Sequence, residues 1–204
     1  MTKLGRKTFD KSVLKRIYSH GRGWVFVPSD FFDFAGRKPA WKALAKLTNQ
    51  GKIRRITKGF YHYPRLHHYL GEVPPSYEKI AKAIARKNGW RLQHSGAYAA
   101  NILGLSEQVP AKIVFLTDGS GHTVSFGNQR IQFKKTATLY MATAGKISGL
   151  VIQALRYLGK DSVDAKVIHT LQSRLSPKDK KQLMRDIGFT PDWISDVFRK
   201  INGL

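Results

Sequence analysis

At 204 residues, 42% of them hydrophobic and 11% aromatic, the chain is long enough to bury one large core or two small ones and too apolar for wholesale disorder. It has no cysteine, which excludes disulfides, thiolate nucleophiles and cysteine-held zinc; no apolar run nears the ~20 residues of a membrane span, and the opening MTKLGRKTFDKSV lacks the apolar core of a secretion signal, so a cytoplasmic location is expected. Lys and Arg number 36 against 13 Asp and Glu, a formal charge of +23 that makes nucleic acid the leading partner class.

In chain order, FDKSVLKRIYSH (Phe9 to His20) puts Val13, Leu14, Ile17 and Tyr18 on one helical face, with Asp10 placed as an N-cap. Gly21 and Gly23 end that helix. Trp24 to Val27 reads as a short strand stopped by Pro28, and Ser29 is placed to cap a second, brief helix reaching Phe34. A third helix starts near Pro39. Its Ala40, Ala43, Leu44 and Leu47 share one face; Lys38, Trp41, Lys42 and Lys46 occupy the other, with Arg37 just ahead, and that face contains no acid.

After Gly51, KIRRITKGFYHY has the composition of a hairpin with Lys58-Gly59 at its tip. Ile53 and Ile56 stand three apart, so a bulge or an early strand end is expected there. From Pro64 to Ser76 the pattern lapses, and Pro74-Pro75 stiffens an extended connection, giving expected domains of residues 1–73 and 74–204. The second domain begins with a helix from Tyr77 to Lys87 behind Ser76, a short strand from Trp90 to Gln93, and a small-residue helix, GAYAANILG, behind Ser95. Lys112 to Thr117 reads as a buried strand, and HTVSFGNQRIQFKK as a hairpin turning at Gly127-Asn128. Four helices follow, about 146–158, 163–175, 177–187 and 191–201, the last two with a hydroxyl residue (Ser176, Thr190) ahead of Pro at the first position.

Helix, strand, brief helix, helix, hairpin is the order of a winged helix-turn-helix, in which the helix after the turn enters the major groove and the hairpin lies on the backbone. The expected class is therefore α+β: an N-terminal winged helix-turn-helix domain followed by a mixed α/β C-terminal domain ending in several helices. Arg37, Lys38, Trp41, Lys42 and Lys46 would reach the groove, while Arg54, Arg55 and Lys58 flank the neighbouring phosphates. Two plainer readings stand beside this one: a solvated basic helix face, and a winged domain used to bind protein.

In the second half, the run HSGAYAANILGLSEQVPAKIVFLTDG, His94 to Gly119, follows a wing that reads GKIRRITKGFYHYP. Together they resemble the AbiEi family of antitoxins from type IV toxin-antitoxin systems, over roughly residues 10 to 160. The most specific stretches are Ser95-Gly96-Ala97-Tyr98-Ala99-Ala100-Asn101, Val109-Pro110-Ala111-Lys112 and Leu116-Thr117-Asp118-Gly119. The resemblance implies an N-terminal domain that binds inverted repeats in double-stranded DNA at its own promoter and represses it, and a C-terminal domain that counters a nucleotidyltransferase-type toxin. It implies the DNA-facing role for Arg37, Lys38, Trp41, Lys42, Lys46, Arg54, Arg55 and Lys58, and it assigns no residue to the antitoxin role. A homodimer on the repeats fits two half-sites, although monomers can also bind each repeat independently.

Constellations for catalysis are thin. His67 and His68 are adjacent and His62 lies five residues earlier, without the i, i+4 spacing of a helical metal pair. His94-Ser95 carries no surrounding G-x-S-x-G. No enzyme activity, metal or cofactor is expected. Residues 76–204 carry +11 of the charge, which a repressor does not require; an RNA-binding or general nucleic-acid-binding protein without a toxin partner is the alternative. A membrane-surface role ranks below both, because no helix joins a wide apolar face to a purely basic one.

Overall fold

Val13 and Ile17 are fully buried on α1 (Lys3–Ser19), as their spacing requires, but the helix starts well before Phe9. The computed structural model describes residues 3–34, 36–110, 112–126 and 129–204. Asp10, expected as an N-cap, lies inside α1 and pairs with Lys46 at 2.5 Å. Next come β1 (Val25–Phe26), a 3-10 turn (Pro28–Phe31) and α2 (Arg37–Asn49). Asp30 replaces Ser29 as the cap of the 3-10 turn, accepting a 2.9 Å hydrogen bond from the Val27 N–H. This single turn stands where a longer second helix would be, and α2 packs directly behind it.

Ala40, Ala43, Leu44 and Leu47 form the buried stripe of α2 and meet Val13, Ile17, Phe26, Phe31, Ile53 and Tyr61 in one core. β2 (Arg54–Thr57) and β3 (Phe60–His62) make the wing, joined at Lys58-Gly59, where Gly59 adopts φ +80°, a conformation glycine takes without steric cost. The expected irregularity is present: Arg55 faces Tyr61 and Thr57 faces Phe60, so the register shifts across Ile56. Strand β1 pairs with β3, giving a three-stranded antiparallel sheet in the order β1-β3-β2. This is the winged-helix arrangement.

The stretch expected as a plain connection forms a second hairpin, β4 (Arg65–His67) and β5 (Gly71–Val73). The chain then enters α3 (Tyr77–Asn88), which packs along β1. Two compact units result, divided after Gly89 instead of after Val73. The physical reason is Arg86 of α3, whose guanidinium bonds Asp30 at 2.7 and 2.8 Å and the Val25 carbonyl at 3.0 Å, fixing α3 to the first unit.

His62 lies buried in β3, and its Nδ1 has no hydrogen-bond partner among the described residues. Burial lowers its pKa; the Glu72 carboxylate opposes that shift and Arg54 adds to it. A depressed folded pKa means that the unfolded chain takes up the proton first, so stability falls as pH drops below the ordinary histidine value of about 6.5. The unfolding midpoint is expected to be lower at mildly acidic than at neutral pH, and the drop to shrink in His62→Gln; thermal melts at the two pH values check this, and an equal drop in both proteins would refute it.

The second unit runs from Trp90 to Leu204. Strands β6 (Leu92–His94), β7 (Ile113–Thr117), β8 (His122–Phe126) and β9 (Gln129–Lys135) form a four-stranded sheet in the order β6-β7-β9-β8, with β7 and β9 parallel. The turn expected at Gly127-Asn128 lies outside the described residues. Helix α4 (Gly96–Ile102) packs on α5 (Ile147–Leu158) so closely that a β-carbon at Gly96 would sit 2.6 Å from Tyr157 Cβ and 2.8 Å from the Gln153 carbonyl oxygen. Ala99 and Ala100 are fully buried in the same contact. The small residues of the SGAYAAN motif thus serve tight helix packing.

Helices α6 (Ala165–Arg174), α7 (Pro177–Arg185) and α8 (Asp192–Ile201) complete this core, with Leu171, Leu183, Ile194 and Phe198 at its centre. Ser176 and Asp179 form a reciprocal capping box at the start of α7. Thr190 does not cap α8; its hydroxyl donates to the Ile187 carbonyl at 2.7 Å.

Candidate nucleic-acid interface

Arg37, Lys38, Trp41 and Lys42 all stand on the exposed side of α2, opposite the buried stripe. Arg37 and Lys38 occupy the first turn, which holds no acid. Cations there oppose the helix dipole at about 0.3–1 kcal/mol each. A bound phosphate would offset that cost, since the N-terminal N–H groups, the dipole and the two cations all attract an anion. Trp41 is 39% exposed and reaches the wing, where its ring edge comes within 3.6 Å of the position a β-carbon would take at Gly59. The outer face of α2 and the wing tip are therefore one continuous surface. Lys58 is exposed at that tip; Arg55 is exposed on β2, with its Nε donating to the Thr57 carbonyl at 3.4 Å.

Two of the eight expected contacts are otherwise engaged. The Lys46 ammonium pairs with Asp10 of α1. The Arg54 guanidinium grips both oxygens of Glu72 on β5 and donates to the Gly51 carbonyl at 2.7 Å, beyond the end of α2. Sequence spacing placed Lys46 on the basic helix face and Arg54 in the wing, but their partners lie 36 and 18 residues away in sequence, a separation that helical or strand periodicity does not register. In this arrangement Lys46 and Arg54 brace the surface, while Arg37, Lys38, Trp41, Lys42, Arg55 and Lys58 face outward.

The charge around this surface is one-sided over a long stretch. Between Asp33 and Glu72 the chain has nine Lys and Arg and no acidic residue. The adjoining hairpin was missed by periodicity because all three residues of β4 are exposed, so no inside-outside alternation exists to be read. The usable signal was compositional: Leu66, Tyr69 and Leu70 ahead of Gly71, with Val73 beyond.

His67 and His68 lie exposed on that hairpin, and Tyr69 packs edge-on to His68 at 4.7 Å between centroids. His94 lies against Tyr98 and Phe115, at 5.0 and 5.2 Å. Among the described residues, no three His, Asp or Glu side chains gather as a metal site, and no helix is long and apolar enough to cross a membrane.

A three-stranded wing sheet behind an outward cationic helix defines the first unit as a winged-helix module, joined in the same chain to a second α+β unit. The chain belongs to DUF6088, a family of unknown function, whose family model matches residues 12–183 and so spans most of both units. Comparison with curated proteins yields no match.

Proposed function

We propose that the protein is a DNA-binding transcriptional autorepressor and the antitoxin of a toxin-antitoxin operon, acting in the cytoplasm without catalysis or cofactor of its own. The observation that carries the DNA reading is the outward face of α2, where Arg37, Lys38 and Lys42 surround Trp41 beside the wing tip with no acid among them. Helix α2 enters the major groove; Arg55 and Lys58 hold phosphates. Inverted repeats in the promoter are read by two copies, one per half-site. The antitoxin role and its partner, a nucleotidyltransferase-type toxin, rest on the resemblance to the AbiEi antitoxins.

Fluorescence anisotropy with a duplex from the promoter of its own operon, titrated with salt, tests the first part. Preference for that duplex over a scrambled one, with a steep salt dependence, is the expected result; equal binding of both at physiological salt sinks it. Co-expression with the neighbouring reading frame tests the second, and growth arrest that this chain does not relieve counts against it.

The alternative, an RNA-binding or general nucleic-acid-binding protein without a toxin partner, draws on one observation. On α7, Lys178, Lys181 and Arg185 line a surface pocket with Pro177 and Gln182. An RNA hairpin whose binding survives alanine at Arg37, Lys38 and Lys42 but not at Lys178, Lys181 and Arg185 would establish that reading.

A further inference from the structure

The second hairpin carries an unusual tip for so small an element. Tyr69 is 85% exposed, Leu70 74% and Leu66 63%, three large apolar side chains on a ribbon only nine residues long. Isolated exposed apolar residues are ordinary, but two on one turn with a third on the adjoining strand are not. The ribbon is anchored. Arg54 belongs to β2, an edge strand of the wing sheet, and its guanidinium joins Glu72 of β5 to the Gly51 carbonyl at the end of α2. Arg22 adds a 3.0 Å bond to the Pro64 carbonyl just ahead of β4. The base of the hairpin is therefore fastened beside the wing and the end of the recognition helix.

We propose that this hairpin is a minor-groove wedge, Tyr69 and Leu70 pressing against base steps of the duplex whose major groove holds α2. The inference rests on the DNA-binding reading and adds a second contact to it. Apolar side chains that enter the minor groove act in this way, unstacking a step partly and bending the duplex toward more protein surface. Charge selects the same occupant: Arg65 stands at the base of the hairpin opposite Val73, and the acid-free stretch that begins after Asp33 runs through the hairpin turn to Glu72, whose carboxylate Arg54 holds. Size argues against a protein partner. A stable protein interface buries about 800 Å² on each side, whereas a fully buried aromatic contributes about 150–250 Å², so three side chains on a narrow ribbon fall short. All three residues of β4 are exposed, so that strand contributes no side chain to the core.

The test uses the full chain and the promoter duplex, comparing wild type with a Tyr69→Ser, Leu70→Ser double variant whose thermal melt should match wild type because both residues are exposed. The variant should bind about tenfold more weakly with an unchanged slope of log affinity against log salt, since no phosphate contact is lost. Distamycin, a minor-groove ligand, should compete with wild type and lose most of its effect on the variant. Wild-type affinity in the variant overturns the wedge while leaving the DNA reading intact, as does a weakened variant that distamycin still displaces equally. A wild-type dimer that becomes monomeric in the variant overturns it in favour of a contact between copies. Failure of wild type to prefer the promoter duplex removes the DNA reading and the wedge with it.

Discussion

Alanine at Arg37, Lys38 and Lys42 together is expected to weaken binding of the promoter duplex about a hundredfold or more and to lower the salt slope by about one unit for each of the three that also neutralises a phosphate. Each of these cations is exposed on α2, so its removal should subtract contact without subtracting fold. Lys46→Ala and Arg54→Ala are the informative companions. Their charges are already spent on Asp10 and on Glu72, so they should change the salt slope less and the melting temperature more. A triple variant that is retarded like wild type would remove α2 as the reading helix. A Lys46→Ala slope as large as that of Lys42→Ala would show that the pair with Asp10 opens on DNA.

The second large effect falls in the other unit. Asp186 follows α7, is only 4% exposed, and accepts from Ser148 at 2.5 Å, Gln182 at 2.8 Å and Lys146 at 3.0 Å. Burial by itself disfavours its charge, but the bonds from Ser148, Gln182 and Lys146 prevail and hold its pKa below the ordinary carboxylate value. Asp186→Ala leaves the Ser148 hydroxyl buried without its acceptor and unties the start of α5 from the end of α7. The expected loss is about 3 kcal/mol of stability. Because the folded pKa is depressed, the carboxylate's contribution is complete above the unfolded value of about 4 and disappears as pH falls through the folded one. Denaturant titrations followed by tryptophan fluorescence at neutral and acidic pH check both points. A variant as stable as wild type at neutral pH, or with the same acid sensitivity, would contradict this account.

Legibility in the sequence followed the range of the interaction. The stripe Ala40, Ala43, Leu44, Leu47 was readable because burial on one side of a helix repeats every three to four residues. The shift across Ile56 was readable from Ile53 and Ile56 breaking a period of two. The Ser176 cap ahead of Pro177 is local as well. What escaped was set by distant partners: α3 joining the first unit through Arg86 and Asp30, β7 pairing parallel to β9, and Lys46 held by Asp10. The extra turns of α1 escaped for another reason, since Lys3 to Phe9 carry no apolar stripe to announce a helix. Of the candidate surface, residue type and helical face were legible; which cations were already occupied was not.

Asp30 also decides where this protein can be cut. Its carboxylate holds the Val27 N–H with one oxygen and the Arg86 guanidinium with both, so a span of 56 residues in sequence closes on a single acid. A fragment ending at Val73 would strand that acid without its cation and strip β1 of the helix that covers it. Cut after Gly89, the piece keeps both, and Gly89 itself, in the left-handed conformation at φ +68°, supplies a natural stop. The separable module is thus the winged helix together with its third helix, and a chimera that grafts this unit onto another protein should carry its seam there.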